Sequence, residues 1–175
     1  MRNRGTFVPI FVLAFVTGIA TLAAAGLTYT APAGWQQGTP TSAMRLAQFT
    51  LPGKAGDAEL VIYYFGGSGG SVDANIARWI GQMQQPDGSS SDAVAKRSTR
   101  TINGLQATLV DVSGTYVAEV MPGAATRHHE PGYRLRAVVI TTPQGPYFIK
   151  LTGPAATVAA QDAAIERFLA SIAYE

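Results

Sequence analysis

Hydrophobic and polar positions along the chain fall into three regimes. From Thr6 to Leu27 every residue is apolar, Gly, Pro or Thr, a run of 22 residues behind a short head that carries Arg2 and Arg4. As a helix this run spans ~33 Å, enough for a bilayer core of about 30 Å, whereas the apolar stretch of a cleaved signal is typically about 7–15 residues. Length therefore predicts a transmembrane anchor, with the basic head kept in the cytoplasm and the remainder exported. Two small-residue runs, Ala23-Ala24-Ala25 before Gly26 and Thr30-Ala31-Pro32-Ala33, offer sites for the opposite outcome, removal of the leader. The second regime, 28–42, reads as a linker, with Gly34 to Ser42 rich in Gly, Pro, Gln and Thr around Trp35.

The third regime, 43–175, carries the patterns of a folded domain. Alternating or continuous apolar runs predict strands at 43–51, 58–66, 93–102, 105–117, 133–142 and 146–152. Asn103-Gly104 between two of them is a two-residue hairpin signal, and Thr142-Pro143-Gln144-Gly145-Pro146 closes a second hairpin. A helix over 72–85 is predicted by Val72, Ile76, Trp79, Ile80 and Met83 on one stripe, with Ser71 as its N-cap, Asp73 in its first turn and Pro86-Asp87-Gly88 as its stop. A second, over 157–172, places Val158, Ile165, Phe168, Leu169 and Ile172 on one face. Successive hairpins make the sheet largely antiparallel, so the fold class is α+β: a meander with two covering helices, preceded by one N-terminal hydrophobic helix.

Composition narrows the function classes. The 175 residues are 47% hydrophobic and 14% charged, with no cysteine, which excludes a disordered chain, a disulfide scaffold and a zinc-thiolate site. Arg2 and Arg4 lie in the leader and no acid precedes Asp57, so the rest of the chain balances 11 basic against 11 acidic residues. A neutral domain lacks the broad positive field that nucleic acid binding requires.

Several groupings suggest chemistry. Gly66-Gly67-Ser68-Gly69-Gly70 fits G-x-S-x-G between a strand and a helix, and Ser68, Asp111 and His128 or His129 follow in hydrolase order. The expectation is nevertheless no catalytic residue, because a strained elbow needs the rigid parallel frame that these hairpins do not provide. Gly67, Ser68, Gly69, Gly70 and Ser71 could instead hold an anion on backbone N–H groups at the helix start. His128-His129-Glu130 form a polar loop, read without a metal or other cofactor because adjacent residues rarely converge on one ion. Lys96, Arg97 and Arg100 crowd one strand, and Arg134 and Arg136 another, so alternation could give the sheet a basic face. Arg78 beside Trp79, with Asn75 one turn earlier, is an interface-type combination.

The element order, with a closing Leu151-Thr152-Gly153-Pro154 and Thr157-Val158, resembles the PsbP-like α/β sandwich, known from the extrinsic photosystem II protein and its bacterial relatives. Phe65-Gly66, Gly69-Gly70, Asn75, Arg78-Trp79 and Gln82 are also similar to a group of uncharacterised exported bacterial proteins. The resemblance implies a non-catalytic extrinsic or assembly subunit of a membrane complex, photosynthetic or electron-transferring. The resulting expectation is a basic head (1–5), an anchor (6–27) in the bacterial inner membrane and a periplasmic domain. Its partners would be integral membrane subunits, met through Trp35, Arg78, Trp79, Lys96, Arg97 and Arg100, with no nucleic acid. The alternative is a periplasmic small-ligand or anion-binding module using the glycine loop.

Overall fold

The computed structural model describes residues 21–24, 26–66 and 69–175. Its centre is an antiparallel sheet built from β4 (Arg45–Leu51), β5 (Ala58–Tyr64), β8 (Leu105–Tyr116), β9 (Glu130–Thr142) and β10 (Gly145–Pro154), in the order β4-β5-β10-β9-β8. Short β3 (Gln36–Gly38) extends one edge, and β6 (Met83–Gln84) and β7 (Lys96–Ile102) both pair with β8 at the other. The Asn103-Gly104 turn has both residues at positive φ, 46° and 83°, as a type I′ hairpin requires.

Each face of the sheet is covered. On one, α1 (Val72–Ile80) lays Ile76, Trp79 and Ile80 over Val110, Val112, Leu135, Ala137, Val139 and Phe148. On the other, α3 (Ala155–Ala160) and α4 (Asp162–Ala170) pack Val158, Ile165, Phe168 and Leu169 against Leu60, Ile140, Ile149 and Leu151. The expected single helix over 157–172 is thus two, meeting at Gln161, whose side chain binds the Trp35 indole and the Pro52 carbonyl. The helix expected over 72–85 stops at Ile80, capped by Gly81, because Met83 and Gln84 join the sheet opposite Tyr116 and Thr115. A short α2 (Ser91–Val94) precedes β7 where strand was expected.

The largest departure is at the amino-terminal side. Thr21–Ala24 (β1) and Leu27–Thr30 (β2) pair as a hairpin, and β2 pairs with Ala173–Tyr174 (β11) in a three-stranded sheet. Leu27 and Tyr29 are 0% and 2% exposed in the α3/α4 core, with Tyr29 edge-on to Phe168 at 5.4 Å. The expected helix therefore does not run to Leu27, and the expected linker contains most of core strand β2 and the exposed edge strand β3. Apolar residues that suit a bilayer suit a protein core equally, so the pattern alone could not separate them. The rest of the leader, 6–20, lies outside the described residues, among which no helix is long and apolar enough to cross a membrane.

Candidate functional site

The closing motif that carried the resemblance has a packing reason. A Cβ on Gly153 would stand 2.4 Å from Ala58 Cβ, and one on Gly53 would stand 2.2 Å from Thr157 Oγ1, so glycine lets these segments close. Thr157 Oγ1 then donates to the Gly56 carbonyl at 2.7 Å, which fixes where α3 begins.

Beside α1 the sheet opens into a groove of about 530 Å³, lined among others by Arg45, Tyr63, Arg78, Gln82, Tyr116 and Lys150. Lys150 stands on β10, a central strand, opposite Val61 and Ala137. It is only 8% exposed. Its Nζ donates to Gln82 Oε1 at 2.5 Å and to the Tyr116 hydroxyl at 3.1 Å, and it lies 5.0 Å from the centre of the Tyr116 ring. No carboxylate is in ion-pair contact with it among the described residues. Burial pulls its pKa down from 10.5 to about 8; Glu59 opposes this, and Arg45 and Arg78 add to it. Burial likewise pushes Tyr116 up to about 12.

The walls of this groove are held in place. Buried Asn75 sends Nδ2 to the Gly69 carbonyl (2.6 Å) and the Ser71 carbonyl (3.0 Å), and its Oδ1 accepts from Arg78 at 2.7 Å. Arg78 has no ion pair among the described residues, so a neutral amide and not a carboxylate fixes its guanidinium. Across the groove the 117–128 segment folds back on itself. Val117 N–H donates to the Gln82 carbonyl, His128 N–H to the Ala118 carbonyl, and Arg127 pairs with Glu119. This places Val120 and Met121, 43% and 68% exposed, on the rim with Met44, 49% exposed. Three of the four large hydrophobic side chains exposed among the described residues thus stand on one groove.

The residues expected to act divide between this groove and other places. Arg78 belongs to the groove. Trp79 is 4% exposed and packs edge-on to Phe148, so it serves the core and shows the groove only an edge. Trp35 caps the opposite core, tilted on Phe49 and Phe168, with Nε1 donating to Gln161 Oε1 at 3.1 Å. The basic face is neutralised. Arg134 grips Asp111 through two bonds of 2.8 and 2.5 Å, Arg136 reaches Asp162 at 2.8 Å and Glu166 at 3.0 Å, and Arg100 reaches Glu166 at 2.8 Å. Asp162 and Glu166, one turn apart on α4, lean over the sheet instead of facing water, which is why alternation alone misread this patch. Arg97 pairs with Asp92, and Lys96 stays exposed opposite Asp111.

In the glycine loop, Gly67 and Ser68 lie outside the described residues. Ser71 is the N-cap of α1, its Oγ accepting from Ala74 N–H at 3.1 Å. The Gly69 carbonyl accepts from Asn75, and a Cβ on Gly69 would stand 2.4 Å from the Phe65 ring. These contacts buttress the groove wall. The other two residues of the hydrolase order do not meet: Asp111 faces α4 in the arginine network, whereas the His128 ring lies tilted against Tyr116 at 5.3 Å on the α1 face. Strand alternation and the turn after β8 separate them. Among the described residues no three His, Asp or Glu side chains are grouped to hold an ion.

No protein-family model matches this chain, and no curated protein matches it. Among solved structures it is similar to cyanobacterial PsbP (CyanoP) from Synechocystis sp. PCC 6803, with a TM-score of 0.54 and 12% identity over 96% of this chain and 100% of that one. It is also similar to PA94, a protein of unknown function from Pseudomonas aeruginosa, with a TM-score of 0.49 and 20% identity over 90% and 97% of the two chains. The fold is PsbP-like, a mostly antiparallel α+β sandwich.

Proposed function

We propose that this chain is an exported, non-catalytic accessory subunit of a larger membrane complex, and that it meets its partner through the groove around Lys150. The observation that carries this reading is the groove itself, with an exposed rim of Met44, Val120 and Met121 above a buried cation. Apolar surface gathered in one place and edged by polar groups is what protein interaction sites present. The PsbP-like fold supports the reading through the accessory roles of extrinsic subunits, photosynthetic or electron-transferring, that the resemblance implies. The basic head and apolar leader support export to the periplasm. With Leu27 and Tyr29 in the core, removal of the leader at Ala23-Ala24-Ala25 would keep both side chains in the mature chain. On this reading the complex, rather than the leader, holds the domain at the inner membrane.

The test is purification of the native protein from its own membranes in mild detergent, with mass spectrometry of the intact chain and of what co-elutes. We expect stoichiometric membrane subunits and a chain beginning near Gly26. A chain that elutes alone from the soluble fraction overturns the accessory reading. That result would favour a small-ligand module, for which the groove's volume of about 530 Å³ is suitable.

A further inference from the structure

The chemistry of the groove narrows what can occupy it. Lys150 and Arg78 both line it, both are fixed by neutral partners (Tyr116 and Gln82 for one, Asn75 for the other), and neither has an ion-pair partner among the described residues. The remaining cations are already paired, Arg45 with Glu59 at 2.9 Å and Arg127 with Glu119 at 3.3 Å. The groove therefore carries two unmatched positive charges, Lys150 buried on its floor and Arg78 exposed beside it, and the buried one is costly to the isolated domain without a counter-charge. A ligand carboxylate would supply that counter-charge as a charge-assisted hydrogen bond. The rim adds a second requirement. Met44, Val120 and Met121 are unbranched or small apolar side chains at the open mouth, and methionine adapts to varied apolar shapes. A lone inorganic anion would leave them uncovered. The mouth is also broad: Arg45, on β4, stands two strands from Lys150, on β10, about 10 Å at the usual strand spacing.

We infer that the groove takes an acidic, apolar segment of a partner protein, its carboxylates against Lys150 and Arg78 and its apolar side chains on Met44, Val120 and Met121. This rests on the accessory-subunit reading for its source of partner and extends it by naming the partner's chemistry. The occupant is a peptide segment because the charged floor and the apolar rim together ask for alternating functions over the width of several residues.

The experiment applies the purified protein to an array of immobilised hexapeptides in which Leu, Met or Phe stands beside Glu, Asp, Gln or Asn. Selected peptides are then titrated by fluorescence anisotropy against the parent, Lys150→Met, Arg78→Gln and Met121→Glu. We expect retention on the Glu and Asp peptides only, a loss of about tenfold or more in affinity for each variant, and unchanged melting for Arg78→Gln and Met121→Glu, which alter no core contact. Equal retention of the Gln and Asn peptides, absence of any selected peptide, or parent-like affinity in both Lys150→Met and Arg78→Gln overturns the inference. So does octanoate competing as well as the peptides, which would make the ligand a small apolar acid. The native purification keeps the two readings apart. Partners retained by Lys150→Met and Arg78→Gln as fully as by the parent leave the accessory role standing and remove the groove. Acidic peptides bound by a chain that elutes alone leave the groove's chemistry and remove the accessory role.

Discussion

The two faces of the central sheet each hold cations, neutralised by carboxylates on one face and held by neutral partners on the other. On the α4 face Arg100, Arg134 and Arg136 meet Asp111, Asp162 and Glu166, three charges against three, and Arg134 and Arg136 are each clamped at two or more points. Burial alone would raise Glu166, yet hydrogen bonds from Arg100 and Arg136 overcome it and hold the carboxyl below its usual range. On the α1 face Lys150 is buried more deeply and has only a phenol and an amide. A matched network fastens a helix to a sheet and is complete in itself. A cation kept in place by neutral donors and acceptors stays available to an anion from outside, so the contrast separates architecture from recognition. Both groups are basic residues in strands, and composition gives them the same weight.

The largest effect expected from breaking this contrast is on the face that is complete. Its core closes only with β2, because Leu27 and Tyr29 lie under Phe168. A chain beginning at residue 34 loses both side chains and the β2–β11 pairing, at a cost of about 5 kcal/mol or more, enough to abolish cooperative unfolding in a domain of ordinary stability. A chain beginning at Gly26 keeps them and should melt as a single transition by circular dichroism. If both truncations melt alike, β2 is not part of the core. For the same reason, of the two small-residue runs only Ala23-Ala24-Ala25 leaves a foldable product when cut.

Much of the fold was legible in the sequence, and the failures have physical causes. The six main strands, both hairpin turns, the α1 stripe and its Ser71 cap follow from period and turn chemistry, which are local. The leader was misjudged at its end because apolarity does not say which apolar phase receives it: Leu27 reads as bilayer and lies in the core. The site was half visible. Arg78 and Asn75 were singled out by their helical spacing and the glycine loop by its G-x-S-x-G pattern, although their joint role as one wall needed the Asn75 hydrogen bonds to be seen. Lys150 was missed, yet it left a signal: in Tyr147-Phe148-Ile149-Lys150-Leu151 a single charge interrupts the apolar run expected of a strand covered on both faces. The groove's rim, from the 117–128 segment, depends on long-range packing that no local pattern encodes.

The second effect tests the α1 face through pH. Lys150 has a pKa of about 8 in the folded chain, below its ordinary 10.5. Between these values the unfolded chain holds a proton that the folded chain has released, so stability rises with pH over this window, and the burial penalty is fully present below about pH 8. From pH 7 to pH 10 the rise should be between about 2 and 3 kcal/mol, read from urea midpoints. Above pH 10 the tyrosines oppose it, since Tyr116, pushed up to about 12, stays neutral when folded and ionises when unfolded. Lys150→Met should flatten the rise and fall within about 1 kcal/mol of the parent at pH 7, because the lost charge and the two lost hydrogen bonds nearly offset. A rise that persists in the variant would place its source elsewhere than Lys150.

Breaking the matched network should cost less. Asp111→Ala leaves Arg134 without its two-pronged partner, the two side chains being 20% and 29% exposed. Water screens part of the penalty, and Asp162 remains in reach of Arg134 at 3.4 Å, so the loss should be about 1–3 kcal/mol by chemical denaturation. Asp111→Ala with Arg134→Ala should lose less than the sum of the single changes, which measures the pair directly. Additive losses would mean that Arg134 and Asp111 act independently, and the contrast between the faces would weaken.

The smallest effect concerns the outer edge of β7. Arg97 and Asp92 pair with 43% and 64% of their side chains exposed. Such a pair gains little in water and loses side-chain entropy, so Arg97→Ala should change stability by less than about 0.5 kcal/mol and lose even that at high salt. Arg97 faces away from the arginines that α4 engages, because alternation along β7 puts Lys96 and Arg100 on one side and Arg97 on the other. Its loss should therefore leave the α4 network and the groove alike untouched. Should Arg97→Ala instead deplete partners in the native purification while melting normally, the edge of β7 would be a contact surface in its own right. Recognition would then extend beyond the α1 face, and the division of the sheet into a structural side and a binding side would have to be redrawn around its edge.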